Sequence, residues 1–266
     1  MKISVYIIAF NEVDKISDCI NSVLWADEIV VADSNSTDGT SEIAMELGAK
    51  IVHIPFNGYG DLRNQAITHC NGDWIFSLDS DERCTIEVRD EITKLINNAP
   101  LDIYRVPRKN FFMGKWIKHS GWYPNFRQPQ LFKRGKMSYT MESVHEGFVN
   151  NSDKEIGTLK NTIWQFPFKN TEELINKANR YSTLGVEKLQ KKGTRGTVSK
   201  AFIHGLWSFI KHYIFKLGFL DGGPGLVIAF GNFEGTFYRY IKLTETQKNW
   251  RAPHIDPIQK SKKLNH

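Results

Sequence analysis

The 266-residue chain is poor in cysteine, and the three it has, Cys19, Cys70 and Cys84, are odd in number and lack CxxC spacing. Neither a disulfide framework nor a zinc site follows from them. Cys19 stands among apolar residues and reads as a small buried hydrophobe. The chain also lacks any stretch of the ~18 uninterrupted apolar residues that a spanning helix needs. Its first apolar run, Ile3–Phe10, is too short for a signal-peptide core and has no small-residue cleavage site behind it. The expected compartment is therefore the cytosol. Internal repeats and long low-complexity tracts are missing as well. What is present, 41% hydrophobic and 24% charged residues, suffices for one large α/β domain or a domain with an appendage, and rules out disorder as the main state.

Charge is unevenly placed. The net charge is +6, yet Glu187 to His266 holds 14 Lys/Arg against 5 Asp/Glu, a net +9, which leaves −3 for the rest. A basic C-terminal region beside a slightly acidic body suits a nucleic acid or an anionic membrane surface as partner for one end. A solvated basic face with a loose tail accounts for it equally well.

The first hundred residues alternate strand and helix signals. Short β-branched runs at Ile3–Phe10, Glu28–Ala32, Lys50–Ile54 and Asp73–Leu78 predict strands. Between them, apolar spacing predicts helices over Asp14–Trp25, up to Leu47 and over Leu62–His69. That order predicts a mainly parallel sheet covered by helices. From 101 to 190 the pattern is less regular, with strand-like Ile103–Val106, Gln130–Lys133 and Val144–Val149, then a helix over Glu172–Leu189. Residues 191–243 predict two amphipathic helices, Ala201–Leu217 and Leu226–Leu243, joined by the Gly-rich turn Gly218–Gly225. Residues 244–266 read as a flexible polar tail.

Chemistry concentrates at the predicted carboxyl edge of the parallel strands, where open α/β sheets bind ligands. Asp79-Ser80-Asp81 follows the fourth strand. On a loop, two such carboxylates can converge on one hard cation, and a divalent ion bridging a diphosphate needs that pair. An acidic turn with Asp81 capping the next helix is the alternative. Asp33 ends the second strand and can accept from a base N–H or a ribose hydroxyl. Asn11 and Glu12 end the first strand, while Asp38-Gly39-Thr40 reads as a turn and helix cap. Arg63 suits a phosphate, or is an exposed helix cation.

Taken together, YIIAFNE, EIVVADSNSTDGT and LRNQAITHCNGDWIFSLDSDE resemble, in order and spacing, the N-terminal half of glycosyltransferase family 2. Those are inverting enzymes of the GT-A fold. Val144-His145-Glu146, Gln130–Arg134 and Gly218–Gly222 extend the resemblance to lipopolysaccharide core β-1,4-glucosyltransferases. The resemblance implies a nucleotide-sugar-binding half at 1–100, an acceptor-binding half at 101–190 and a helical region at 191–243 suited to membrane association. It implies a UDP-sugar donor, with glucose expected, and Mg²⁺ or Mn²⁺ as cofactor. Ala9, Asn11 and Glu12 would line the nucleotide pocket, Asp33 would bind the base, and Arg63 would lie near the diphosphate. Asp81 would be the direct metal ligand, with Asp79 nearer the ribose or metal. Asp33-Ser34-Asn35 departs from the family's usual Asp-Asp-Gly or Asp-Asn-Gly, which leaves Ser34 without a role.

An inverting transfer is a single displacement with oxocarbenium-like character, so a base must take the acceptor proton. Glu146 is the expected base; His145 could serve instead or ligate the metal. Adjacent strand residues face opposite sides, so the two do not both enter one cleft if this segment is a strand. The aromatic and basic segment Arg105–Arg134 suits phosphorylated core sugars, though core packing explains many of its rings. The C-terminal helices suit contact with the cytoplasmic face of an inner membrane, beside a glycolipid acceptor, or packing on the chain's own body or a second subunit. Two other classes remain open: a sugar nucleotidyltransferase, against which stands the absence of a Gly-rich phosphate loop after the first strand, and a non-enzymatic basic protein binding membrane or nucleic acid. For the enzyme reading no nucleic-acid partner is expected, since the basic residues avoid the motif-bearing half.

Overall fold

The structure, a computed structural model, describes residues 1–123, 128–141 and 147–248. It divides into two compact units, Met1–Lys169 and a second that begins at Asn170. The first unit opens with β1 (Ile3–Ala9), α1 (Ile16–Asn21), β2 (Glu28–Asp33), α2 (Thr40–Glu46), β3 (Lys50–His53), α3 (Tyr59–Thr68) and β4 (Trp74–Asp79). It continues through β5 (Glu82–Arg83), α4 (Ile86–Asn97), β6 (Ile103–Arg105), β7 (Arg108–Phe112) and β8 (Lys115–Trp116). Strands β9 (Leu131–Lys133), β10 (Met137–Tyr139), β11 (Phe148–Asn150), β12 (Gly157–Thr158) and β13 (Ile163–Gln165) complete it.

The main sheet has seven strands in the order β12-β6-β9-β4-β1-β2-β3. β4, β1, β2 and β3 run parallel, and β9 is antiparallel to both β4 and β6. This is the expected α/β class, a mainly parallel sheet followed by a mixed half. Every residue of β1 is buried, as befits a central strand covered on both faces. One face packs Val5, Ile7, Phe76 and Leu78 against Ile16, Ile20, Val88 and Ile92 of α1 and α4. The other packs Tyr6, Ile8 and Ile75 against Leu62 and Ala66 of α3 and against Met137 and Tyr139 of β10.

The parallel strands lie within a residue or two of their expected bounds, because continuous β-branched runs fix them. The helix expected over Asp14–Trp25 is only Ile16–Asn21. Ser22 ends it: its hydroxyl donates to Cys19 O and accepts the Cys84 N–H, so it ties the chain to the segment before α4. Asp81 does not cap α4. Thr85 does, its hydroxyl accepting the Val88 N–H. The three cysteines are free and buried.

In the second unit, α5 (Thr171–Lys191) is followed by α6 (Val198–Ile210), a π turn at Lys211–Phe215, a 3₁₀ turn at Gly218–Asp221, and α7 (Gly223–Lys248). Here the expected helices form, and the bulky apolar side of α6 is the exposed one. α6 buries Ala201 and Gly205, whereas Ile203, Leu206 and Trp207 are exposed. Gly205 lets Phe233 of α7 approach, since a Cβ there would stand 3.1 Å from its ring. No described helix is long and apolar enough to cross a membrane.

Candidate active site

The carboxyl ends of β1, β2 and β4 lie side by side, with Ala9 in register with Asp33 and Ile8 with Asp79. Asp33 and Asp79 thus flank the end of β1, two strand spacings or about 10 Å apart across the sheet. Sequence distance is irrelevant here; the parallel register brings the motifs to one edge.

Asp33 is fully buried. Its Oδ2 accepts the Ser36 N–H at 2.9 Å and lies 3.3 Å from His53 Nδ1, and its Oδ1 accepts from the Ser36 hydroxyl. The carboxylate therefore organises the loop after β2 as its first task. That loop in turn holds the loop after β1: the Asn11 N–H donates to Ser36 Oγ, and Asn11 Oδ1 accepts the Thr37 N–H, both at 2.9 Å. Asn11 sits at φ 53°, a left-handed conformation that Asn tolerates better than most residues. The Glu12 N–H donates to Thr40 Oγ1 at 2.8 Å, and Asp38 Oδ2 accepts the Val13 N–H at 3.1 Å. Asp38-Gly39-Thr40 is thus the turn expected of it, and it also buttresses the first loop. The Ser34 hydroxyl is buried with no hydrogen-bond partner among the described residues.

Arg63 is not an exposed helix cation. It is buried, with Nη2 2.7 Å from Asp79 Oδ1, Nη1 3.2 Å from Ser77 Oγ, and the guanidinium over the Tyr139 ring. Burial works against its charge, but Asp79, through its charge and hydrogen bond, together with Tyr6 and Tyr139 more than offsets that and holds its pKa well above the ordinary value. α3 is placed for this by Asn64, whose side-chain amide pairs with both the N–H and the C=O of Tyr139 at 2.8 Å.

Asp81 takes a different partner. Both of its carboxylate oxygens accept from Gln165 Nε2 at 3.2 Å, and its backbone C=O accepts the Phe166 N–H. Gln165 belongs to β13, which pairs antiparallel with β5 directly after the motif. Between the two aspartates and the core lies Glu82, fully buried. Its Oε2 accepts the Asp79 N–H at 3.0 Å and Gln130 Nε2 at 2.9 Å. Its Oε1 stands 3.1 Å from Arg108 Nε, a charge contact without hydrogen-bond alignment. Burial pushes the Glu82 carboxyl up to about 7; Arg108 opposes the shift, while Asp79 and Asp81 add to it.

Glu82 and Gln130 lie inside motifs that carry the family resemblance but receive no role there, and Arg108 and Gln165 are participants that no motif contains. Glu82 adjoins the acidic motif and could have been suspected. Gln165 could not, since it lies 84 positions from Asp81. Glu146 and His145 fall outside the described residues. Among the described residues no cluster of three or more His, Cys, Asp or Glu could enclose a metal by itself. A hard cation of the Mg²⁺ type needs only one or two protein carboxylates and completes its shell with phosphate and water oxygens, so a pair such as Asp79 and Asp81 suits it in chemical type.

Acidic side chains along the carboxyl edge of a parallel sheet occupy the place where open α/β proteins bind their ligands. Residues 4–151 match the family described as Glycosyl transferase family 2. An uncharacterised glycosyltransferase of Rickettsia bellii (strain RML369-C) is 32% identical over 262 residues, covering 92% of this chain and 86% of the relative. The lipopolysaccharide core biosynthesis glycosyltransferase LpsC of Rhizobium meliloti (strain 1021) is 28% identical, covering 86% and 90%. A solved structure of S. aureus TarS, 1–349, is 16% identical with a TM-score of 0.49, covering 96% of this chain and 94% of that one. The chain belongs to glycosyltransferase family 2, and its fold is the GT-A arrangement expected from the motifs. That membership replaces the nucleotidyltransferase and non-enzymatic readings.

Proposed function

We propose that the protein transfers a sugar, with inversion, from a UDP-sugar to a glycolipid acceptor of the lipopolysaccharide inner-core type. It works as a peripheral protein at the cytoplasmic face of the inner membrane, and glucose is the sugar proposed. The observation that carries the reading is the acidic motif beyond β4, joined to the Asp33 loop by strand register in a family 2 chain. Similarity along most of its length to a relative named for lipopolysaccharide core biosynthesis supports the acceptor class.

In this reading Ala9, Asn11 and Glu12 line the nucleotide pocket, and Asp33 frames the base through the Ser36 loop it holds. The Ser34 hydroxyl, lacking a partner, is available to a nucleoside oxygen once that loop accommodates the ligand. Asp81 and Asp79 would hold Mg²⁺ or Mn²⁺, which when bound offsets the charge gathering on the departing diphosphate. Arg63 fixes Asp79 and keeps positive charge on the diphosphate side; Gln165 fixes Asp81. Glu146 takes the acceptor hydroxyl proton, with His145 as the alternative base or a further metal ligand.

The test is acceptor-free UDP release from a panel of UDP-sugars with Mg²⁺ or Mn²⁺, which identifies donor and cation together. Asp81→Ala should lower turnover about 100-fold or more while the fold survives, because ligand removal at a catalytic metal forfeits several kcal/mol of charge stabilisation. Wild-type rates from that variant would remove the metal role.

A further inference from the structure

In the hairpin of α6 and α7, α6 turns the bulky side of its sequence pattern outward. Its contact side uses small residues, with Ala201 and Gly205 buried, while the bulky apolar side faces outward. Ile203 and Trp207 are 63% and 55% exposed, and at the tip Phe215 is 67%, Phe219 45% and Leu220 53% exposed. This tip is not a loose loop. Asp221 and Gly218 are buried beneath it, and a Cβ on Gly225 would stand 1.9 Å from the Gly218 carbonyl oxygen, so the turn is packed backbone against backbone. Rigid exposure of that many large apolar side chains in one region exceeds the scattered surface hydrophobics of ordinary proteins.

Charge says what covers this surface. From Arg195 to Phe233 the chain carries Arg195, Lys200, Lys211 and Lys216 against a single acid, Asp221. That acid is buried, and Lys200, Lys211 and Lys216 are exposed. Lys200 and Lys211 are three helical turns apart and fall on one margin of the apolar stripe. Lysines bordering an exposed aromatic and aliphatic stripe are the arrangement of a helix lying in a lipid interface, stems among the acyl chains and ammonium groups at headgroup level. A second copy of the chain fits less well, because two such faces would bring like charges together.

We propose that this hairpin is the membrane-docking element, with Phe215, Phe219 and Leu220 entering an anionic bilayer tip first and Lys200, Lys211 and Lys216 engaging acidic headgroups. The inference deepens the membrane-surface reading above and rests on it for its purpose, the capture of a lipid-linked acceptor. It assigns the contact to the tip and outward stripe, not to the buried side of the hairpin.

The test is sedimentation of the full chain with vesicles of phosphatidylethanolamine and phosphatidylglycerol, and with neutral phosphatidylcholine vesicles. The wild type should bind the anionic vesicles and lose most of that binding at 0.5 M salt. Phe215→Ser with Leu220→Ser should lower the partition coefficient about tenfold or more, since each exposed apolar chain contributes to insertion. Lys211→Ala with Lys216→Ala should lower it by a similar factor on anionic vesicles alone. A thiol-reactive polarity dye on Phe219→Cys, in a chain whose native cysteines are buried, should shift to the blue with anionic vesicles. Absence of vesicle binding by a chain that hydrolyses a UDP-sugar would overturn the proposal and leave the enzymatic reading standing. Vesicle binding without action on any UDP-sugar would do the reverse. Self-association in sedimentation velocity that the Phe215→Ser, Leu220→Ser pair abolishes would overturn the proposal in favour of a dimer interface.

Discussion

Arg63 and Asp79 meet at 2.7 Å at the margin of the core, with Ser77 and the Tyr139 ring also against the guanidinium. Arg63→Ala would take the guanidinium charge from Asp79 and a donor from Ser77, and should cost about 3 kcal/mol in urea unfolding. Arg63→Lys should lose less, since an ammonium meets one acceptor well but cannot span both as the fork does. Glu82 sets a pH dependence of the opposite sense to the usual carboxylate. Its folded pKa of about 7 lies above its ordinary value, so between about pH 4.5 and 7 the native chain binds a proton that the unfolded chain has released. Stability from this group is full below that window and falls as pH rises through 7. Metal-free protein should therefore lose roughly 2 kcal/mol of unfolding free energy between pH 5 and 8, and Glu82→Gln should flatten the change. An unaltered slope in the variant would show that another group titrates there.

At the scale of elements, the site depends on how closely α3 rides on β10. Gly60, in the first turn of α3, would place a Cβ 2.0 Å from the Thr140 carbonyl oxygen. Gly60→Ala should therefore force the helix away, lower stability by about 2 kcal/mol and disturb the Arg63–Asp79 pair, measurable as a lower Tm together with weaker nucleotide binding. Elements also separate what patterning shows from what it hides. The strands β1, β2 and β4 are legible because each is a short apolar run buried on both faces, while β3, a half-exposed edge strand, shows only in the β-branched pair Ile51 and Val52. The two- and three-residue strands β5, β8, β10, β12 and β13, and the five-residue β7, leave little periodic trace, and pairing decides them. α6 shows the limit of amphipathicity: its pattern marks an apolar side correctly but cannot tell whether that side meets the protein or something else. The small side won because Gly205 admits Phe233 at close range.

For the whole molecule, a basic, aromatic hairpin in one unit and a nucleotide-type edge in the other imply that chemistry and localisation respond differently to salt. Raising ionic strength from 0.05 to 0.5 M should leave acceptor-free UDP release nearly unchanged, because those groups are close and partly buried. Transfer to a lipid-embedded acceptor should fall several-fold, as screening shortens the reach of lysines toward anionic headgroups. Equal salt sensitivity of both reactions would count against the division of labour. The aromatic segment beyond residue 105 divides in the same manner: Phe112 is buried beside Trp122 and Phe168, while Tyr123, edge-on to Trp116, stays exposed.

By itself the sequence determined the parallel order of the nucleotide half, the placement of Asp33, Asp79 and Asp81 at strand ends, and the family. Each rests on runs of side chains whose burial or turn preference is local. Tertiary structure alone decided that Arg63 is buried on Asp79, that Gln165 faces Asp81, that Glu82 lies fully buried beside them, and that α6 of the C-terminal hairpin turns its bulky side outward. Those outcomes depend on groups tens of residues apart meeting at hydrogen-bonding distance, and on which of two surfaces packs more closely, quantities that no window of neighbouring residues contains.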